Sequence, residues 1–299
     1  VEISVKKTHV KSAVVALFSL ALAVPQLSAE EAKAVIAGVS IAADPALVEL
    51  VPQAYSDRGN IIGAITPVNR PAGFRDENGD IVGSQIDIFK AAAIKLGLEP
   101  VVEAAGTGGA DVVGTQAGRY DMTIGTGSFK SRQEVLNMVE YYRGGAGILV
   151  QPGNPKNIQS SEDFCGLTVA VAPGVIQEQF LVTQDEECKA AGKPAIDIQR
   201  IGESTHMAVA SKRADASYET LATVQYLVGQ DPERFEIGGE PKWLAPNGFG
   251  FVKENTEIME AWMASVQSLI DDGTYAAILK EWNQELAAVE KVTLNESTF

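Results

Sequence analysis

The chain has 299 residues, 45% hydrophobic and 21% charged, with a formal net charge of −15. Length sets a prior of about two compact units, and the apolar content is enough for packed cores rather than disorder. So acidic a surface excludes nucleic acid and anionic membranes as natural partners. It does not exclude a small anion held by a local arginine, because distant charges are screened.

In chain order, Lys6, Lys7 and Lys11 precede an apolar run, Ser12–Val24, and Leu27-Ser28-Ala29 offers a small residue for cleavage. Residues 1–29 therefore read as a secretory signal peptide cut near Ala29. The run is too short to span a bilayer, and no later stretch approaches the ~20 apolar residues a span needs. No cysteine stands at the cut, so no lipid anchor is expected. The segment carries three lysines and one glutamate, so its removal takes the net charge from −15 to −17. Residues 30–56 form an apolar-rich, partly helical lead-in.

Asn60–Thr66 reads as a first strand. Pro67 to Pro71 breaks it and places Asn69 and Arg70 on a loop at the strand's C-terminal end, where open α/β sheets hold ligands. Asn78-Gly79 is a hairpin signal between Phe74-Arg75 and Ile81-Val82. Ile86, Phe89, Ala93 and Leu96 have helical spacing closed by Gly97, and Pro100–Ala104 is a second strand. Gly106-Thr-Gly-Gly-Ala-Asp111 lacks the Lys-Ser/Thr of a P-loop and the third glycine of G-x-G-x-x-G. It is read as a backbone lining in preference to a phosphate cradle.

Gly118 to Tyr142 is the stretch around which the rest is organised. It predicts a short strand (Met122–Ile124), a glycine-containing loop, and a helix beginning at Arg132 under the capping box Ser131-Arg-Gln-Glu134. A cation in a first helical turn is disfavoured, whereas an anion is favoured there. Two readings stand: a solvent-facing arginine, or a clamp in which guanidinium and helix N-terminus hold a carboxylate.

Ala146–Val150 is a strand, and Gly153-Asn-Pro155 is expected to cross into a new unit. There the prediction is strand Thr168–Ala172, a Pro173-Gly174 turn offering a second anion seat, and helix Ile176–Thr183. Strand Ile196–Ile201, helix Met207–Ser211, strand Ala214–Ser217 running into Tyr218-Glu219-Thr220, and helix Leu221–Leu227 follow. Phe235–Ile237 closes this unit, Asn247–Val252 returns to the first, and helices Ile258–Ile270 and Tyr275–Trp282 finish the chain. The alternation argues for α/β lobes. Cys165 and Cys188 are the only cysteines. In an exported protein they read as one disulfide, with two buried thiols as the alternative. His206 is the only histidine after residue 29, which excludes a Cys/His zinc site or a Ser-His-Asp triad elsewhere. No metal or cofactor is expected.

With these pieces placed, the sequence resembles the polar amino-acid family of periplasmic solute-binding proteins of ABC transporters, from about Asp44 to Trp282. The carriers are Asp76-Glu-Asn-Gly79 with Gly83 and Asp87, Gln116-Ala-Gly-Arg-Tyr-Asp121, and Arg132 ten residues before Tyr142. Gly153-Asn-Pro-Lys156, Cys165-Gly166 with Val169-Ala170-Val171, Gln177-Glu178, and Asp271-Asp-Gly-Thr-Tyr275 to Trp282 complete them. The resemblance implies an α/β, two-lobed type II periplasmic-binding-protein fold with two hinge crossings. Lobe 1 is 57–146 with a return at 247–299, and lobe 2 is 147–246. It also implies a ligand trapped as the lobes close, an inner-membrane permease as partner, and a monomer. The family's carboxylate-binding arginine falls on Arg132, with backbone from Gly125 and Gly127, and the Cys165–Cys188 pair fits a disulfide seen in part of the family.

The departures bear on the ligand. Asn69 and Gly108 stand where the family places clamping aromatics, and Gly127 replaces the serine or threonine that assists the arginine. The family's ammonium-pairing aspartate falls on Thr220, with Glu219 beside it, and Gly174-Val175-Ile176 replaces a Gly-Thr-Thr turn. Losing a carboxylate opposite a buried ammonium costs several kcal/mol, so a standard α-amino acid requires Glu219 as a substitute. Tyr141, Tyr142 and Trp243 either fill the aromatic gap or belong to the core. The expected function is periplasmic capture of a carboxylate-bearing small molecule without catalysis. The alternatives are a secreted enzyme resembling cyclohexadienyl dehydratase, with Glu219 as general acid, or a ligand sensor for a membrane partner.

Overall fold

The structure, a computed structural model, describes residues 34–299 apart from 107 and 203–204. The expected signal peptide lies outside the described residues. From Ala34 the chain makes a small hairpin (Ala34–Ile36 with Val39–Ile41) and two short helices, Pro45–Val48 and Gln53–Arg58. The lead-in is therefore part strand as well as part helix.

Two six-stranded sheets follow. In the first, Asn60–Ile65 lies parallel to Glu99–Ala104 and to Met122–Gly127. Asn247–Val252 pairs antiparallel with both Met122–Gly127 and Leu136–Tyr142, and Thr293–Leu294 edges the latter. Helix Ser84–Lys95 is buried along most of its length because it is covered by the sheet and by Thr256–Asp271. Phe89, Phe249, Phe251 and Trp262 interlock there, with Tyr141 stacked on Phe249 at 4.2 Å. In the second sheet Thr168–Val171 lies parallel to Asp197–Arg200 and Ala216–Thr220. Gly145–Val150 runs antiparallel to Ala216–Thr220. Helices Ile176–Ala190, Thr205–Ala210 and Leu221–Gln230 pack on this sheet. The Cys165–Cys188 disulfide ties its first helix to the loop before its first parallel strand. Closing a loop of that length stabilises by about 3 kcal/mol.

Each sheet with its helices is one lobe, and the chain crosses between them twice. The crossings, Tyr142 to Gly145 and Trp243 to Asn247, run side by side: Leu244 N donates to Gly144 O at 2.9 Å. A Cβ on Gly144 would collide with the Ala245 carbonyl, which explains the glycine.

Three expectations are corrected. The helix expected from Arg132 onward is only Lys130–Gln133, capped by Phe129, and Leu136–Tyr142 is a strand. The local S-x-x-E signal loses to pairing with Asn247–Val252, which buries both faces of the strand. The crossing expected at Gly153-Asn-Pro155 occurs at Arg143-Gly144 instead. Residues 153–157 only turn the chain, with Asn154 Oδ1 accepting from Ile158 N at 3.0 Å. Asn69, expected on a loop, lies on a two-residue strand, Val68–Asn69, paired with Gly73–Arg75.

Candidate functional site

A cavity of about 350 Å³ opens between the lobes. Its floor is the C-terminal ends of Asn60–Ile65 and Met122–Gly127, the position where α/β sheets present ligand sites. Both crossings form its back, and the first turn of Ile176–Ala190 faces it from the second lobe. Its charged lining consists of Arg132, Arg143 and Asp111.

Arg132 is half-buried on the short helix that follows Gly127. Its Nη1 donates to Gly127 O at 2.9 Å, and its guanidinium lies 5.4 Å from the Phe129 ring centre. One of five N–H donors is used by that carbonyl, and no carboxylate among the described residues pairs with it. The remaining fork suits a bidentate carboxylate. A four-residue helix with Arg132 in its last turn supplies no helix-end seat, so the expected cooperation of guanidinium and helix N-terminus is not realised.

Beside it, Thr126 Oγ1 donates to Asp111 Oδ2 at 2.9 Å and fixes that carboxylate at the cavity wall. The acid makes the Gly106–Asp111 loop a poor phosphate cradle. Gln85, 2% exposed, presents an Nε2 without a partner. Its Oε1 fills the space a Cβ would take at Gly125, where φ is +67°. Tyr142 also lines the cavity and is 3% exposed; its buried hydroxyl has no partner, and burial holds its pKa far above the usual phenol value. Asn247 Nδ2 donates to Gly125 O at 3.2 Å and is thereby committed to holding the two strand ends together.

Of the residues singled out in the sequence, Arg132, Gly125, Gly127, Asn69 and Thr220 line the cavity. Arg70, Gly108, Gly174, Val175 and Glu219 do not. Arg70 lies over the Phe74 ring at 4.0 Å, and its carbonyl accepts from Thr223 Oγ1 of the second lobe at 3.2 Å. The seat expected at Gly174 is occupied by the protein itself. Gly174 N donates to Glu178 Oε2 at 2.6 Å, and Arg200 Nε donates to Glu178 Oε1 at 2.5 Å. Those two contacts hold the Glu178 carboxyl below its usual range. Glu219 shares a strand face with Ser217, and its carboxylate accepts from Ser217 and Thr205 hydroxyls; strand alternation turns it away while turning Thr220 inward. The Thr220 hydroxyl accepts from Thr223 N as a helix cap and lies 2.8 Å from Thr223 Oγ1.

Gln85, Asp111, Arg143 and Asn247 were not among the sequence candidates. Tyr141 belongs to the core, and Tyr142 serves core and cavity together. Among the described residues no group of His, Cys, Asp and Glu is placed to hold a metal ion, and no helix is long and apolar enough to cross a membrane.

The family model for bacterial extracellular solute-binding proteins, family 3, matches residues 61–285, spanning both lobes and both crossings. The chain belongs to this family. The arginine-binding protein ArgT of Corynebacterium glutamicum is 28% identical over 258 residues, covering 84% of this chain and 83% of that protein. The solved structure of an ancestral arginine-binding protein bound to arginine is 30% identical, with a TM-score of 0.56, covering 75% of this chain and 98% of that one. Substrate-binding domain 2 of GlnP from Lactococcus lactis, in an open conformation, has a TM-score of 0.67 at 18% identity. It covers 78% of this chain and 97% of that one, and it attests the fold alone. As a member of the family, the chain has the two-lobed type II periplasmic-binding-protein fold, and its cavity sits between the lobes of that fold.

Proposed function

We propose that this protein is the solute-binding component of an ABC importer for an amino acid or amino-acid derivative. Arg132 takes the ligand's carboxylate, and Asp111 takes its ammonium in place of the carboxylate absent at Thr220. The observation that carries this reading is the pair itself: an arginine with unfilled donors and a hydroxyl-pinned aspartate flank Thr126-Gly127 on one cavity wall. The arginine-binding relatives support an amino-acid ligand.

The two lobes close about Arg143-Gly144 and Leu244–Pro246. The closed monomer, exported and freed of residues 1–29, then delivers its ligand to an inner-membrane permease. Binding is preferred to the enzyme alternative that relied on Glu219 as general acid, because Glu219 faces Thr205 and Ser217 rather than the cavity. A thermal-shift series on unfolded-and-refolded, ligand-free protein tests the reading, with L-amino acids set beside their C-terminal amides. At about 100 times Kd an acid stabilises by about 2.7 kcal/mol, and its amide is expected to give no shift. Equal shifts from acids and amides would overturn carboxylate capture.

A further inference from the structure

Arg143 is unused by the reading above. It stands at the first crossing, its backbone N donating to Ala287 O at 2.8 Å, and its guanidinium carbon lies over the exposed Trp243 ring, 3.7 Å from the centroid. That cation–π contact uses none of the guanidinium's N–H donors and leaves them for an acceptor. Among the described residues its guanidinium has neither a hydrogen-bond acceptor nor an acidic partner. Gly144 and Gly145 follow it in the cavity wall, so no side chain from these two stands between that edge and the ligand space. Neighbouring Lys242 points elsewhere, over the Phe180 ring at 4.4 Å.

In a chain of net charge −15, the cavity thus collects two cations and one anion. Arg143 is itself exposed at the cleft, and an amino acid with a neutral side chain satisfies Arg132 and Asp111 but leaves the Arg143 guanidinium without a partner. A ligand with a cationic side chain would add a like charge to the same space.

Resting on the zwitterion reading above, we infer that Arg143, braced on Trp243, is a second anion subsite. The ligand class is an amino acid bearing a further carboxylate, either in its side chain or as an N-carboxyalkyl group. The test is calorimetric titration of ligand-stripped protein with two matched pairs, L-glutamate against L-glutamine and N-(1-carboxyethyl)-L-arginine against L-arginine. The first pair places the extra carboxylate on the side chain and the second on the nitrogen, so the tighter pair identifies the source. In at least one pair the acidic member is expected to bind at least tenfold tighter, as one charge-assisted hydrogen-bond pair supplies. That ratio is expected to collapse toward one in Arg143→Gln and to recover in part in Arg143→Lys. Acidic members binding no tighter than their counterparts in both pairs, or a ratio that survives in Arg143→Gln, would overturn the subsite while leaving the amino-acid reading intact. Silence from all four compounds together with the standard L-amino acids would overturn that reading and the subsite with it.

Discussion

Gln85 and Gly125 share one volume, and the position of the cavity floor depends on it. Gln85 is held at the start of its helix so that its amide fills the place of a 125 side chain, while Gly125 takes a left-handed conformation unfavourable to other residues. Gly125→Ala therefore combines backbone strain with overpacking and is expected to destabilise by about 2–4 kcal/mol. It should also weaken ligand binding by displacing the Gln85 side chain that packs at the cavity floor. Urea unfolding with a parallel titration checks both effects; a variant as stable as the parent with undiminished affinity would show that the floor is not built this way. The same scale explains what could be read from sequence. Arg132 stood out in sequence as a cation in an expected first helical turn, at the place where the family resemblance puts its carboxylate-binding arginine. Asp111 and Arg143 were not, since an aspartate in a first helical turn and an arginine before Gly-Gly are ordinary locally. Only the contacts with Thr126 and Trp243, which the fold supplies, set them apart at the cavity wall.

Among the elements, the helices of the first lobe could be read from spacing because Ser84–Lys95 keeps a 3.6-residue period between Gly83 and Gly97. Leu136–Tyr142 could not, because its strand character comes from partners more than a hundred residues away. The Gly174 turn shows the same limit on the second lobe: its geometry invites an anion, but Glu178 four residues on already supplies one. Hydrogen bonding to Gly174 N, then to Arg200, lowers the Glu178 pKa. A lowered folded-state pKa contributes stability that is complete above the unfolded carboxylate pKa, about 4.3, and is lost as pH falls through the folded value. Melting profiles of the parent and Glu178→Gln should accordingly differ at neutral pH, with the parent more stable, and converge as pH falls below about 4. A difference that persists undiminished into strong acid would mean the carboxylate is not held as its contacts require.

For the whole molecule, two sheets joined by paired crossings leave the cavity between bodies that each carry their own core. The lobes already touch through Thr223 and Arg70, and helix Leu221–Gln230 reaches the first lobe again where Gln225 Oε1 accepts from Leu286 N at 3.1 Å. On the proposed reading, closure would be a rotation about the crossings with these contacts as a pivot. The central claim is that Arg132 captures a carboxylate inside that cleft. Its most direct measurement is the affinity of Arg132→Ala, against that of the parent, for whichever amino acid gives the largest thermal shift. Truncating one partner of a charge pair buried on closure costs about 2–5 kcal/mol, a loss of about thirtyfold or more. The account predicts that loss in a variant whose unliganded melting temperature matches the parent's; undiminished affinity in an equally well-folded variant would contradict it.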